Sequence, residues 1–157
     1  MSFLLKALLA DRNQPLPEHQ RAKRMTALWL AMVKTREPRG AAFADWELIT
    51  EAVNYVLGFI KKMEIDTDIT DDQILAAQAL YAMSQRTPLA FNEVEYNQVF
   101  TVLQYYQDLL EVATGVELLA VENYINHECE AAKIKQLALL PFKRSKRSHR
   151  KPKKVKK

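Results

Sequence analysis

Between Asn92 and Ala113 the chain places apolar residues at alternating intervals of three and four: Tyr96, Val99, Leu103, Tyr106, Leu110 and Ala113. That spacing puts all six on one face of an α-helix. Val102, Tyr105, Leu109 and Val112 make a second stripe beside the first. Asn97, Thr101, Gln104, Gln107, Asp108 and Glu111 are left to share a narrow polar arc with Phe100. A helix apolar on two sides needs neighbours on two sides, so the spacing predicts a central element. It would be roughly 33 Å long, about the diameter of a small domain.

The flanking sequence supplies more helices of the same kind. Phe3, Leu4, Leu5, Leu8 and Leu9 give Ser2–Ala10 the pattern of a short amphipathic helix, which Pro15 and Pro17 separate from the next. A second helix is expected from about Glu18 to Thr35, burying Ala22, Met25, Leu28, Trp29, Met32 and Val33. Arg21, Lys23 and Arg24 sit near its start, the unfavourable end of its dipole, and read as a solvated basic turn. A third helix, with Asp45 as N-cap, runs to about Met63. Its apolar face is Trp46, Ile49, Val53, Val56, Leu57 and Ile60, widened by Ala52, Phe59 and Met63. Its polar arc is Glu47, Thr50, Glu51, Asn54, Gly58, Lys61 and Lys62. Thr70-Asp71-Asp72-Gln73 has the capping-box pattern and opens a fourth helix to about Arg86, with Ile74, Ala77, Leu80, Tyr81 and Ser84 turned inward. Asn92 with Glu95, and Thr114 with Glu117, repeat that pattern ahead of the central helix and of a last one. The last helix carries Leu118, Val121, Ile125, Cys129 and Ala132 and fades before Pro141.

Neither an alternating segment long enough for a strand nor a repeat of 30 to 50 residues is present. The three glycines, Gly40, Gly58 and Gly115, are too few for a turn-rich β fold or a phosphate-cradling loop. The expected fold is therefore all-α: a compact bundle of about five to six helices over residues 1–142, followed by a disordered basic tail over 143–157. The bundle is large enough to bury roughly two-thirds of its unfolded surface. No apolar run reaches the roughly 18 residues of a membrane span. Phe3 to Ala10 is followed by Asp11, Arg12 and Asn13 instead of a cleavage site, so a signal peptide is not expected. Cys129 is the single cysteine, which fits a reducing cytoplasm.

Arg24-Met25-Thr26-Ala27-Leu28, Asp45-Trp46-Glu47-Leu48 with Asn54, Ala76 to Leu80, Leu103 to Leu110 with Tyr106, and Ala113-Thr114 with Glu117-Leu118 form a shared pattern. Through these residues the stretch 24–124 resembles a group of small all-helical proteins encoded by phages, plasmids and genomic islands of proteobacteria. The resemblance implies a helical fold and a bacterial or mobile-element setting. It carries over no activity and no catalytic residues. The basic tail departs from the group, whose members stop soon after the last helix.

The net charge of +4 hides a segregation. Residues 1–40 carry +5, residues 41–132 carry −13, residues 133–142 add +2, and residues 143–157 hold ten basic groups and no acid. An acidic body with a basic tail is the result. Asp66-x-Asp68-x-Thr70-Asp71-Asp72 lacks the glycine and glutamate of a calcium loop, with Asp71 and Ala77 at those positions, and reads as a solvated acidic loop. His127 and Cys129 lie two apart on a helix and diverge, so they do not share an ion, and Cys129 reads as a small buried hydrophobe. His19 and His149 stand apart in sequence. The six tyrosines sit mostly at core spacing. No catalytic residue, cofactor or metal is expected, and an enzyme is not the favoured reading.

Lys143, Arg144, Lys146, Arg147, Arg150, Lys151, Lys153, Lys154, Lys156 and Lys157 are the candidate site. Charges this dense repel one another and seek a polyanion, of which nucleic acid is the commonest. Without aromatic residues the tail offers no stacking and little base readout. The chain is thus expected to be a non-enzymatic accessory protein of a bacterium or its mobile element. It would hold nucleic acid non-specifically by its tail while the acidic helical body contacts a protein partner. Two other readings stand beside this one. The tail could fold back onto the acidic body, or the body could mimic nucleic acid, with carboxylates such as Asp108, Glu111 and Glu117 standing for phosphates, and so inhibit a nuclease or related enzyme.

Overall fold

A computed structural model describes residues 13–62 and 69–131. Five helices account for most of them: α1 (Glu18–Lys34), α2 (Phe43–Lys62), α3 (Ile69–Ser84), α4 (Glu93–Val112) and α5 (Gly115–Ala131). No strand occurs among the described residues, where Pro15 with Thr114 and Ala41 with Leu89 form two isolated bridges. The expected all-α bundle is present. No helix among the described residues is long and apolar enough to cross a membrane. The expected helix at 2–10, residues 64–68 of the expected acidic loop, Met63 and Ala132 lie outside the described residues; the rest of that loop, through Asp72, is not a loop but the first turn of α3.

The expected central helix is α4, and most of its first stripe is buried as the spacing predicts: Val99, Leu103, Tyr106, Leu110 and Ala113 are in the core, and Tyr96 is half-buried against it. The second stripe fades along its length. Val102 is buried, Tyr105 and Leu109 are half-buried, and Val112 is exposed. The helix that touches all four others is α2, whereas α4 packs on α1, α2 and α3 and leaves α5 to α2. The assignment of the centre to α4 is therefore corrected. The physical reason lies on the arc of α2 that looked polar. Thr50, Asn54 and Gly58 are buried with the apolar face, so α2 is enclosed nearly all round. Gly58 lets α5 lie close: a Cβ there would stand 2.6 Å from Val121 Cγ1 and 3.2 Å from Ile125 Cγ1.

Local signals at the other helix ends fare unevenly. Asn92 Oδ1 accepts from the Glu95 N–H at 2.8 Å while Glu95 Oε1 accepts from the Asn92 N–H at 3.0 Å, a complete capping box. Thr114 and Glu117 make the same reciprocal pair. Asp45 is not the N-cap of α2. It lies in the first turn, and its Oδ2 reaches back to the Ala42 N–H at 2.9 Å, the carboxylate half of a capping box without a hydroxyl partner. Thr70 lies inside α3, not before it, and Gln73 is buried in the core. In α1, Met25, Leu28 and Met32 are buried as expected with Ala31 beside them, but Ala22 and Val33 are exposed. In α3 the inward residues are Gln73, Ala76, Ala77, Ala79, Leu80 and Met83, and Tyr81 faces outward.

The connection after α1 is pinned to the one before α4. Ala41 N–H donates to Leu89 O at 2.8 Å and Phe91 N–H to Thr35 O at 3.2 Å. Gly40 makes the turn at φ +71°, where a Cβ would fall 2.7 Å from Leu89 O. Only glycine takes that backbone shape without strain. Arg86 closes the same end with two hydrogen bonds to the Glu95 carboxylate, at 2.6 and 3.0 Å.

Candidate functional site

The ten basic residues of 143–157 lie outside the described residues, so the chain's sharpest charge signal stands on the sequence itself. The described body is acidic, with fifteen carboxylates against nine basic side chains. Asp71, Glu93, Asp108, Glu111, Glu128 and Glu130 are exposed. Of the three carboxylates that would stand for phosphates, Asp108 and Glu111 are thus at the surface. Glu117 is committed to its capping box, where Oε1 accepts from both the N–H and the hydroxyl of Thr114 at 3.1 Å.

Several apolar side chains break this polar surface. On the outer side of α1, Leu30 and Val33 are 59% and 53% exposed, in line with exposed Ala22 and Thr26 at helical spacing. Between α3 and α4, Leu75 and Val94 border a shallow groove with Asp72, Asn97, Gln98 and Thr101. One wall of that groove is fixed by Tyr105, whose hydroxyl donates to Asp72 Oδ2 at 3.1 Å.

The most unusual chemistry is inside the bundle, where sequence reading expected a solvated basic turn. Arg24 is turned inward from α1. Its Nη2 meets Glu51 Oε2 of α2 at 3.0 Å, and its Nε donates to the Tyr106 hydroxyl of α4 at 3.3 Å. The Arg24 side chain is 12% exposed and that of Glu51 is 35% exposed, so solvent reaches the cluster from the Glu51 side. Burial works against the Arg24 charge, but Tyr106 and Glu51 more than offset it and hold the guanidinium protonated. Tyr55, one turn beyond Glu51, stacks its ring 6.3 Å from that of Tyr106 in a tilted arrangement. Its hydroxyl is buried and has no hydrogen-bond partner among the described residues. Burial pushes the Tyr55 phenol up, with Glu122 adding to the effect, and it pushes up the Tyr106 phenol as well.

The charge of Glu122 on α5 also acts on Tyr55. Glu122 is half-buried, and desolvation followed by repulsion from Glu51 lifts its carboxyl above the ordinary carboxylate range. Gln20 stands at the α1 edge. Helices α1 and α2 run antiparallel, with Arg24 opposite Glu51 and Lys34 opposite Asp45. Gln20 lies one turn before Arg24 on the same side of α1. Gln20 Oε1 is also buried without a partner among the described residues. Sequence reading missed this cluster because its members come from different helices. The one signal available is an arginine and a glutamine four apart at the start of α1, which reads in the sequence as a solvated basic turn.

Cys129 is buried, and burial followed by the Glu128 charge pushes its thiol up, away from thiolate chemistry. His127 is exposed on the other side of α5. No group of three or more His, Cys, Asp and Glu side chains is arranged to hold a metal ion among the described residues. Comparison of the chain with protein-family models, with curated proteins and with solved structures gives no match to any of them.

Proposed function

We propose that this chain is a non-enzymatic accessory protein that holds nucleic acid through its basic tail and a protein through its helical body. The observation that carries the reading is the tail: ten positive charges in the fifteen residues 143–157, with no acid among them. Each phosphate neutralised by a lysine or arginine releases condensed counterions, which supplies affinity without reading sequence. An acidic body would repel phosphates, so the division of labour follows from the charge segregation. The exposed Leu30 and Val33 on α1 support a protein contact, because apolar side chains in line on an otherwise polar helix gain from being covered. The resemblance of 24–124 supports a bacterial or mobile-element setting, and the single Cys129 fits a reducing cytoplasm.

Fluorescence anisotropy of labelled duplex and single-stranded oligonucleotides tests the reading with full-length protein and with residues 1–142. The full chain should bind unrelated sequences within a few-fold of one another, and the truncated chain should lose most of that affinity. Equal binding by both would put the nucleic-acid contact elsewhere and end the proposal.

A further inference from the structure

Most basic side chains of α1 are engaged within the body. Arg21 donates to the Glu111 carbonyl, Arg24 meets Glu51, and Lys34 meets Asp45 Oδ1 at 3.4 Å. Lys23 is exposed and makes no ion pair among the described residues. Seven residues on stands Leu30, and seven beyond that stands Glu37. Glu37 too is exposed and outside every ion pair of the described residues. The backbone winds on past Lys34 to bring it there: Arg36 N–H donates to Val33 O and Glu37 N–H to Lys34 O, both at 3.1 Å. With Thr26 and Val33 in the intervals, Lys23, Thr26, Leu30, Val33 and Glu37 follow at steps of three, four, three and four. All five are exposed, on the side of α1 opposite the buried Leu28 and Met32. That spacing is the seam of a helix pair.

We infer that this face of α1 docks a second copy of the chain, with the two α1 helices antiparallel and Leu30 at the two-fold axis. The inference rests on the reading that the body contacts a protein through α1, and it names that protein. The argument is charge complementarity. Lys23 and Glu37 stand at equal distances either side of Leu30, so an antiparallel copy sets each Lys23 against the Glu37 of the other chain. A parallel copy would set like charges together at both ends. The face is thus its own complement, as a two-fold contact requires. Between the charged ends Leu30 meets its counterpart, and Val33 lies against the small Ala27 of the second copy. These two, 59% and 53% exposed in the single chain, are the apolar area that pairing removes from water. A seam one helix wide is small among protein interfaces, so the dissociation constant is expected on the order of 10–100 μM.

The test is sedimentation equilibrium of the full-length protein from about 5 to 500 μM, in salt of about 0.15 M, where attraction between distant charges is screened. The wild type should pass from monomer to dimer. Leu30→Glu places two carboxylates at the axis and should weaken the dimer about tenfold or more. Its melting temperature should stay that of the wild type, because an exposed helix position exchanges one good helix former for another. Lys23→Glu and Glu37→Lys each turn two attractions into repulsions and should each weaken the dimer about threefold or more. The double exchange restores both pairs and should return to within about twofold of the wild type. Association untouched by Leu30→Glu would put the contact elsewhere, as with a basic tail on another copy's acidic body, and would overturn the inference. So would a double exchange no better than the single ones, or a wild type that stays monomeric throughout. A monomeric wild type that retains a different protein from a bacterial lysate, where Leu30→Glu does not, would overturn the second copy and keep the protein contact on α1. A monomer that retains none would end both.

Discussion

Replacing Gly58 with alanine sets two effects of known size against each other. In mid-helix the change should stabilise by roughly 0.5–1 kcal/mol, because glycine loses more backbone freedom on folding than alanine does. Here the added methyl would lie 2.6 Å from Val121 Cγ1, closer than carbon atoms pack, with two Ile125 atoms at 3.2 and 3.3 Å. Val121 is fully buried and β-branched, so it has no other rotamer ready to take. Inserting a methyl into such a contact typically costs about 1–3 kcal/mol. Gly58→Ala should therefore be destabilising by about 1–2 kcal/mol in urea or thermal unfolding, against the direction of helix propensity. Val121→Ala should also destabilise on its own, by leaving a gap. The double variant should recover part of both losses, with a coupling of about 0.5–3 kcal/mol as expected for side chains in contact. A stabilising Gly58→Ala, or strictly additive single changes, would mean that α5 does not lie on this face of α2.

Two further outcomes follow from the packing. Leu103 is fully buried in the main stripe of α4 and Gln104 is exposed beside it, so Leu103→Ala should cost roughly 2–5 kcal/mol and Gln104→Ala no more than about 0.5 kcal/mol; similar losses in denaturation would mean the wrong face is buried. Glu95 gives a pH signature. Burial opposes its ionisation, but the Arg86 hydrogen bonds, the Asn92 N–H and the Arg86 charge outweigh that and hold its carboxyl below the ordinary range. A depressed carboxyl contributes stability that is present above its unfolded value and is lost as pH falls through its folded value. The stability gap between wild type and Glu95→Gln should therefore narrow as the pH is taken from neutral to below the ordinary carboxylate range, about 4.3, and a gap of constant size would refute the role given to Arg86.

What was legible in the sequence was local. The α4 stripe is a pattern within one helix, and the boxes at Asn92 and Thr114 each span four residues, so residue order alone carries them. What was hidden depended on contacts between helices. Thr50, Asn54 and Gly58 are polar or small, the same residue types that face water. Nothing in their order says that α5 and the other helices close over them, and so the spacing points to α4 as the centre instead of α2. Ala22 and Val33 were read as core by spacing, yet α1 has its neighbours on the side of Leu28 and Met32. Arg24 is the extreme case, since its partner Tyr106 is 82 residues away. A charge on a helix reads as solvated until the opposite wall is known.

The charges of 143–157, and not a shaped surface of the body, are proposed to hold nucleic acid. The most direct measurement is the affinity of the full-length chain for a duplex over a series of salt concentrations. With half of the ten tail charges engaged, the logarithm of the association constant should fall against the logarithm of salt with a slope of about −4 to −5, alike for unrelated sequences. A slope near zero, or one preferred sequence bound far more tightly than the rest, would contradict it.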